Sequence, residues 1–289
     1  MSLKPNCSPF TINTCLKYKN EGRKITSLTA YDYSTAKFLD ESGIDIILVG
    51  DSLSMVALGH TTTHSVTMDE MIHHTKAVTR GVKRSLVVSD MPFMSYQTDE
   101  ISAVTNAGRF IKEANAQAVK LEGGSKLITD TVKHCVEAGI PVLGHLGFTP
   151  QFLHTIGGYN IQGKNVETTE RILEQALALQ DSGAFGVVLE MVPEESAKLI
   201  TESLNIPTIG IGAGRFCSGQ ILVIDDLLGK FTDFTPKFAR KYVDLASIIK
   251  NAVTEYKEDV ISCNFPSRSE VFNLAEEELV KLTHLTTLK

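Results

Sequence analysis

Eight short, nearly uncharged segments recur along the chain, and they limit its possible folds more than any other feature. Each segment is rich in β-branched residues or leucine, as are strands of a parallel sheet that is covered on both faces. Stretches with helical periodicity separate most of them. The eight predicted strands are residues 25–30, 46–50, 86–89, 118–121, 141–144, 186–189, 207–212 and 221–224.

The segments between the strands predict helices, and Gly43, Gly139 and Gly183 stand where three of these helices should end. Eight strands with intervening helices favour a closed (β/α)8 TIM barrel, an α/β fold, over an open sheet. Only about eight residues separate the last two strands, so we expect a short irregular connection there. The predicted helices are residues 34–42, 68–80, 101–114, 126–138, 167–182 and 194–204.

Both ends of the chain extend beyond the predicted barrel. Residues 1–24 predict a polar lead-in with a short helix, and residues 237–256 predict the last barrel helix. Ser267 and Glu270 have the spacing of a capping box, which predicts a final helix over 271–282. We therefore expect one domain over residues 1–289, with the barrel at about 25–256 and a C-terminal helical extension at about 267–283.

Composition excludes several classes of protein. Of the 289 residues, 43% are hydrophobic and 21% charged, a balance that can form a full core. The net charge of −6 and the lack of a basic stripe argue against nucleic acid as a partner. Five dispersed cysteines indicate reduced thiols, and no apolar run is long enough for a membrane span. We expect a cytoplasmic protein.

Polar residues stand at the ends of five successive predicted strands. Asp51, Asp90, Glu122, His145 and Glu190 each directly follow one of them. In a (β/α)8 barrel these positions meet at the C-terminal mouth, where such enzymes have their active sites. Any one of the five, taken alone, fits a helix cap or a loop residue equally well, but a series of five favours a site.

Several carboxylates in one pocket repel each other unless a positive charge balances them. Oxygen ligands favour Mg2+ over zinc, and a chelated 2-oxo acid would add its own oxygens. The metal would then stabilise the enolate formed when a neighbouring C–H proton leaves, with Glu190 as the base. Lys120, within the fourth strand, neutralises substrate charge or else extends out of the barrel. Ser52 is either a helix cap or a hydrogen-bond donor to substrate.

Two other features carry less weight. His60, His64, His73 and His74 cluster, but no zinc motif accompanies them. The glycines of residues 210–214 resemble a phosphate loop without matching the G-x-G-x-x-G pattern. A need for backbone room at the barrel mouth explains these glycines better.

Several segments, in order from about Thr26 to Phe272, resemble ketopantoate hydroxymethyltransferase. The segments are TAYDYS at 29–34, VGDS at 49–52, DMPFMSY at 90–96, VKLEGG at 119–124, GHLGFTPQ at 144–151, GGY at 157–159, LEMVP at 189–193, IGIGAG at 209–214 and GQILV at 219–223. The resemblance implies a Mg2+-dependent (β/α)8 barrel. It also implies transfer of a hydroxymethyl group from methylenetetrahydrofolate to 2-oxoisovalerate, which gives 2-dehydropantoate for pantothenate and coenzyme A synthesis.

The resemblance also implies roles for individual residues. Asp51 and Asp90 would ligate the metal, with Glu122 in or next to its shell, and Glu190 would be the base. The substrate-binding set would be Asp51, Ser52, Asp90, Lys120 and His145, in which Ser52 and Lys120 hold the substrate carboxylate. The family forms large homo-oligomers, and the resemblance implies a decamer.

The sequence departs from the family pattern at three places. Asn160 stands where Lys is usual, Asp225 where His is usual, and residues 63–67 replace a more usual Leu-Pro-Val-Thr. Three alternatives stay open. They are another Mg2+-dependent lyase of the isocitrate-lyase and phosphoenolpyruvate-mutase type, a Schiff-base aldolase that uses Lys120, and a barrel that binds a metabolite without turnover.

Overall fold

Eight parallel strands close into a barrel, with β1 paired to both β2 and β8. The computed structural model describes residues 8–286, with side chains for 8–283. The predicted (β/α)8 barrel is therefore confirmed. The strands are β1 Ile25–Thr29, β2 Ile46–Val49, β3 Leu86–Asp90, β4 Ala118–Glu122, β5 Val142–Gly147, β6 Gly186–Glu190, β7 Thr208–Ile211 and β8 Gly219–Leu222.

The helices that follow the strands begin and end close to their predicted positions. Local capping explains this accuracy: Thr67 and Glu70 form the capping box of α4, and the Asp99 side chain accepts a hydrogen bond from the Ser102 backbone at the start of α5. The helices are α1 Ile12–Asn20, α2 Tyr33–Glu41, α3 Leu53–Val56, α4 Met68–Gly81, α5 Glu100–Ala114, α6 Lys126–Glu137, α7 Leu153–Ile156, α8 Val166–Asp181, α9 Glu194–Ser203, α10 Ile224–Leu227, α11 Leu245–Ile261 and α12 Glu276–Thr286.

Two apolar layers hold the barrel together. One lies between the strands and the surrounding helices, and it includes Val87 of β3, Val119 of β4 and Val187 of β6. The other fills the barrel interior, where Phe10 and Tyr18 of the predicted lead-in join the inward-facing strand residues. The lead-in thus closes the N-terminal end of the barrel and leaves the C-terminal end for a site.

The connection from β7 to β8 contains no helix, as its length predicted. Gly212 and Gly214 lie in it with positive φ angles of 61° and 75°. A Cβ atom at Gly212 would lie 2.7 Å from the Phe238 ring, and one at Gly214 would lie 2.5 Å from the Glu194 side chain. These glycines provide the backbone room expected of them.

The C-terminal elements differ from their predicted bounds. Helix α11 begins at Leu245 rather than at residue 237, because the Asp244 side chain caps it and part of the preceding segment lines a cavity. The capping box of Ser267 and Glu270 opens only a 3-10 turn, Arg268–Glu270. Val271 then adopts an extended conformation, so α12 starts at Glu276.

Contacts divide the chain into two compact units, residues 1–242 and 243–289. The first contains all eight strands, and the second contains α11 and α12. A single domain over 1–289 stays a prediction. None of the helices in the described part of the chain combines the length and the apolar character needed to cross a membrane.

Candidate active site

A cavity of about 170 Å3 opens at the C-terminal mouth of the barrel. Drug-sized ligands occupy roughly 300–1,000 Å3, so this volume suits a small metabolite. The structure brings every residue of the predicted site to this one cavity. Its lining includes Asp51, Ser52, Asp90, Lys120, Glu122, His145 and Glu190.

Strand register decides which of these side chains are neighbours. Asp90 of β3 is paired with Lys120 of β4, and Glu122 is paired with His145 of β5. Adjacent strands lie about 4.8 Å apart, so paired residues on one face come into contact. Asp90, Glu122 and Glu190 are the last residues of their strands rather than the first residues after them.

Asp90 and Lys120 form a buried ion pair, with Lys120 Nζ 3.0 Å from Asp90 Oδ1. Burial lowers the pKa of Lys120, but Asp90, Glu122 and Asp51 together raise it above its ordinary value. The amine is therefore held in its charged form. Burial is also the main reason that the pKa of Asp90 is raised, against the opposing effect of Lys120.

His145 lies between two carboxylates. Its Nδ1 is 3.2 Å from Glu122 Oε1, and its Nε2 is 3.3 Å from Glu190 Oε2, without hydrogen-bond geometry at the second contact. Burial and Lys120 lower the pKa of His145, but Glu122 and Glu190 raise it to about 9 overall. The two carboxylates therefore favour the protonated imidazole, against Lys120 Nζ, which lies 3.3 Å from the same Nδ1.

Asp51 makes hydrogen bonds through both its backbone N–H and its side-chain carboxylate. Its backbone N–H donates to Asp90 Oδ2 at 2.9 Å, and its Oδ2 accepts from Gln151 Nε2, also at 2.9 Å. Burial, reinforced by Asp90 and Glu122, raises the pKa of Asp51 well above its ordinary value. Removing water and adding like charges both disfavour the ionised carboxylate.

The charges of this cluster balance only when some of its carboxylates are protonated or a cation is bound. Four carboxylates (Asp51, Asp90, Glu122, Glu190), when ionised, face two cations, Lys120 and protonated His145, which leaves −2. A divalent cation matches this excess. Among the described residues, no three His, Cys, Asp or Glu side chains already form a metal-ligand cluster. Mg2+ does not require three, because it keeps several waters and commonly uses one or two carboxylates.

Ser52 lies beside Asp51 at the start of α3 without capping that helix. Its Oγ is 2.9 Å from the Tyr31 hydroxyl. A Cβ atom at Gly50 would lie 2.8 Å from Ser52 Oγ, so a glycine there leaves room for the hydroxyl at the cavity. The cap interpretation of Ser52 is therefore the weaker one, since its side chain makes no capping hydrogen bond and its hydroxyl contacts Tyr31.

The backbone around Glu190 is tightly constrained. Gly147, its partner on β5, has a φ of 91°, and a Cβ atom there would lie 2.2 Å from the Glu190 carbonyl oxygen. Met191, the next residue along the chain, has a φ of 50°, which is unusual for a residue with a side chain. Strained backbone of this kind is often found at functional sites.

The opposite side of the cavity is apolar. Ile211 and Ile221 come from the last two strands, and Phe231, Phe234 and Phe238 come from the irregular segment after α10. A second cavity of about 630 Å3 adjoins the first and shares part of its lining. The shared residues are Tyr159, Glu190, Phe234, Pro236 and Phe238.

Among the polar residues at or next to the cavity that sequence reasoning missed, four lie outside the strands. Tyr31 and Gln151 contact predicted site residues, while Thr63 and Asp226 line the cavity wall. Thr63 Oγ1 is buried with no hydrogen-bond partner among the described residues. A search of strand ends could not find these four, because they lie in loops or short helices. The resembling segments 29–34 and 144–151 already contained Tyr31 and Gln151.

The residues that depart from the family pattern differ in how far they are buried. Asn160 is exposed, whereas Asp225 is buried and pairs with Lys230 at 3.1 Å. In the segment 63–67, His64 Nε2 is 2.9 Å from the Gln151 carbonyl oxygen, and its ring stacks on His154. Of these contacts between described residues, the one made by His64 reaches Gln151, which touches the carboxylate cluster.

The fold and the carboxylate-lined cavity at its mouth define a (β/α)8-barrel enzyme. Residues 9–268 match the family described as ketopantoate hydroxymethyltransferase, and the chain belongs to this family. The 3-methyl-2-oxobutanoate hydroxymethyltransferase of Clostridium botulinum is 53% identical over 272 residues, which cover 94% of this chain and 98% of the relative. The enzyme of the same name from Acetivibrio thermocellus is 54% identical over 265 residues, covering 92% and 93%.

Solved structures support the fold alone. A 2,3-dimethylmalate lyase of the PEP mutase/isocitrate lyase superfamily aligns with a TM-score of 0.59 at 13% identity, covering 95% of this chain and 98% of that one. A phosphonopyruvate hydrolase in complex with oxalate and Mg2+ aligns with a TM-score of 0.57 at 11% identity, covering 96% of both chains.

Proposed function

We propose that this enzyme transfers a hydroxymethyl group from methylenetetrahydrofolate to 2-oxoisovalerate and forms 2-dehydropantoate for pantothenate and coenzyme A synthesis. Family membership and the name shared by relatives at 53–54% identity support this proposal. The observation that carries it is the two-sided cavity, with carboxylates and Lys120 on one side and an apolar wall on the other. A small branched 2-oxo acid has the same two-sided chemistry.

The two sides dictate how such a substrate lies. Its carboxylate and keto oxygens face Lys120 and the Ser52 hydroxyl, because these groups donate hydrogen bonds or carry positive charge. Its isopropyl group faces Ile211 and Ile221, where burial of apolar surface is favourable. In this pose the C3 carbon lies between the two sides, close to Glu190.

The donor set fits Mg2+, which Asp51 and Asp90 would hold, with Glu122 in or next to the metal shell. Asp51 Oδ1 accepts no hydrogen bond within the described residues, so it is available to a cation, whereas Asp90 Oδ1 lies 3.0 Å from Lys120 Nζ and would share its charge between Lys120 and a cation. Glu122 is already engaged by His145 and by the Gln151 backbone. When bound, the cation would act as a Lewis acid on the oxygens of the 2-oxo acid.

Glu190 is the proposed base. Its side chain is 16% exposed, against 2–3% for Asp90 and Glu122, so it has more freedom to meet a substrate carbon. Protonated His145 beside it orients the carboxylate and competes poorly as a base. A general base in this position takes the C3 proton and then returns it or passes it to solvent.

The adjoining cavity suits the second substrate. Its volume of about 630 Å3 falls in the range for drug-sized ligands, and folates are of that size. Tyr159, Phe234 and Phe238 provide ring surfaces for a heterocycle, and Glu190 borders both cavities. A one-carbon unit carried by folate would therefore arrive beside the carbon from which Glu190 removes the proton.

We also propose a homo-oligomer, with a decamer as the expected size. The segment 271–282 has six exposed apolar side chains that a partner would cover. Light scattering at micromolar concentration should give a mass several times that of one chain. The six are Val271, Phe272, Leu274, Leu279, Val280 and Leu282.

The test is formation of 2-dehydropantoate from 2-oxoisovalerate and methylenetetrahydrofolate, measured with Mg2+ and with EDTA. Product that depends on Mg2+ supports the proposal. An adduct trapped by borohydride would favour a Schiff-base aldolase, although a charged Lys120 is poorly suited to that role. Cleavage of a 2-oxo acid adduct without folate would favour a lyase.

A further inference from the structure

Gln151 occupies a central position beside the carboxylate cluster. It lies in the 3-10 turn Pro150–Phe152 after β5 and is 3% exposed. Its side-chain amide and its backbone make hydrogen bonds to groups on several different elements. Its Nε2 donates to Asp51 Oδ2 and to the Met91 carbonyl oxygen, each at 2.9 Å.

Tyr96 fixes the orientation of this amide. The Glu122 backbone N–H donates to the Tyr96 hydroxyl oxygen at 3.0 Å, which leaves the hydroxyl proton free to donate. Its nearest acceptor is Gln151 Oε1 at 2.7 Å, and Gln97 Nε2 also donates to this oxygen at 2.9 Å. With two donors directed at Oε1, the NH2 group of Gln151 must face Asp51.

The same residue reaches a second carboxylate. The Gln151 backbone N–H donates to Glu122 Oε2 at 3.0 Å, so Gln151 contacts carboxylates on both sides of the Asp90–Lys120 pair. Because Oδ2 of Asp51 is occupied by the amide, Oδ1 is the oxygen left to meet a cation. An unrestrained carboxylate would turn and lose this preference.

We propose that Gln151 is a positioning residue, oriented by Tyr96, that presents Oδ1 of Asp51 to the divalent cation. This inference rests on the proposed function, because it requires that a cation binds at Asp51 and Asp90. Gln151 acts through Asp51 and touches neither substrate nor cation. Partners that orient metal ligands in this way typically contribute 10–100-fold to metal affinity.

The experiment measures Mn2+ binding to the metal-free full-length protein by electron paramagnetic resonance, without substrate. Gln151→Met keeps a similar side-chain shape and removes both amide functions. We expect its Kd for Mn2+ to rise about 10–100-fold. The matched control is Thr201→Val, which removes two buried hydrogen bonds of 2.7 Å each, to Thr208 and to the Ala197 carbonyl oxygen, away from the cavity. Its Kd should stay at the wild-type value.

Tyr96→Phe is the second variant, in case Gln151→Met does not fold. It keeps the ring and removes the donor that orients the amide. We therefore expect a smaller rise in Kd, about 3–10-fold, which is at or below the lower end of the range for residues that orient metal ligands. Thermal unfolding in EDTA separates the two effects, because a merely structural role lowers stability and leaves the Kd of the folded protein unchanged.

Two results would overturn the inference, and they differ in what else they overturn. Wild-type Mn2+ affinity in folded Gln151→Met and in Tyr96→Phe removes the positioning role and leaves the proposed function intact. Absence of Mn2+ binding in the wild-type protein overturns the metal part of the proposed function, and this inference with it.

Discussion

The two sides of the cavity differ in how the chain forms them. The polar side comes from the ends of β2 to β6, where strand register brings Asp90 beside Lys120 and Glu122 beside His145. The apolar side comes from β7, β8 and an irregular segment that contains Phe234 and Phe238. The side proposed to perform chemistry is therefore held by the sheet itself, whereas the side proposed to recognise substrate shape is partly held by a loop.

This difference suggests that chemistry and substrate choice can be altered separately. Substitutions on the polar side should change rate or metal binding with little effect on the choice between 2-oxo acids. Substitutions on the apolar side should do the reverse. Glu190 ends β6, where the two sides meet, so it provides the most demanding test.

Glu190→Gln should give the largest effect. The variant keeps the shape of the side chain and loses its basicity, so exchange of the C3 proton of 2-oxoisovalerate with deuterium should fall about 10²–10⁴-fold. NMR without folate measures this exchange, and calorimetry should show that Mg2+ and 2-oxo acid binding persist. Exchange close to the wild-type rate would make another residue the base.

Asp51→Ala and Asp90→Ala should each weaken Mg2+ binding by more than about 100-fold, beyond the range for residues that only orient ligands. Loss of one carboxylate removes half of the proposed protein ligands, and activity should fall with it. Calorimetry on both variants checks this. A variant with unchanged affinity would exclude its residue from the metal shell.

Asp226→Asn should change stability in a way that depends on pH. Burial and the neighbouring Asp225 raise the pKa of Asp226 from 3.8 to about 6. A raised folded-state pKa favours folding below the ordinary value, and this advantage disappears as the pH rises through about 6. The variant should therefore gain about 2–3 kcal/mol over wild type between about pH 4 and pH 7.5, at 1.4 kcal/mol per pKa unit. Urea unfolding at both pH values measures this gain, and a constant difference would contradict it.

Ile211→Val should give the smallest effect. It removes one methylene group from the apolar side, so kcat/KM should shift about 10-fold toward 2-oxo-3-methylvalerate, which is one methylene larger than 2-oxoisovalerate. Ile46→Val removes the same group from the barrel interior without lining the cavity and serves as control. Equal shifts in both variants would mean that Ile211 does not limit substrate size.

The sequence predicted the barrel well because periodicity and capping are local. The same local reasoning located Asp90, Glu122 and Glu190, because the C-terminal ends of all strands in a parallel barrel meet at the same mouth. It could not find Gln151, which is uncharged and lies in a turn. The role proposed for Gln151 depends on contacts with residues up to 100 positions away in sequence. It also predicted starts for α11 and α12 that are too early in the sequence. Helix α11 buries none of its side chains, so no pattern of buried residues marks where it begins.

Gly147 shows how a residue without a side chain can control a catalytic centre. Even an alanine there would push against the backbone carbonyl of Glu190, and the resulting displacement would move the proposed base. In a random mutagenesis screen, substitutions at position 147 would lower activity as much as substitutions of the reacting residues, although Gly147 itself need not contact a substrate. The set of positions that do not tolerate mutation would therefore be larger than the set of residues that take part in the reaction.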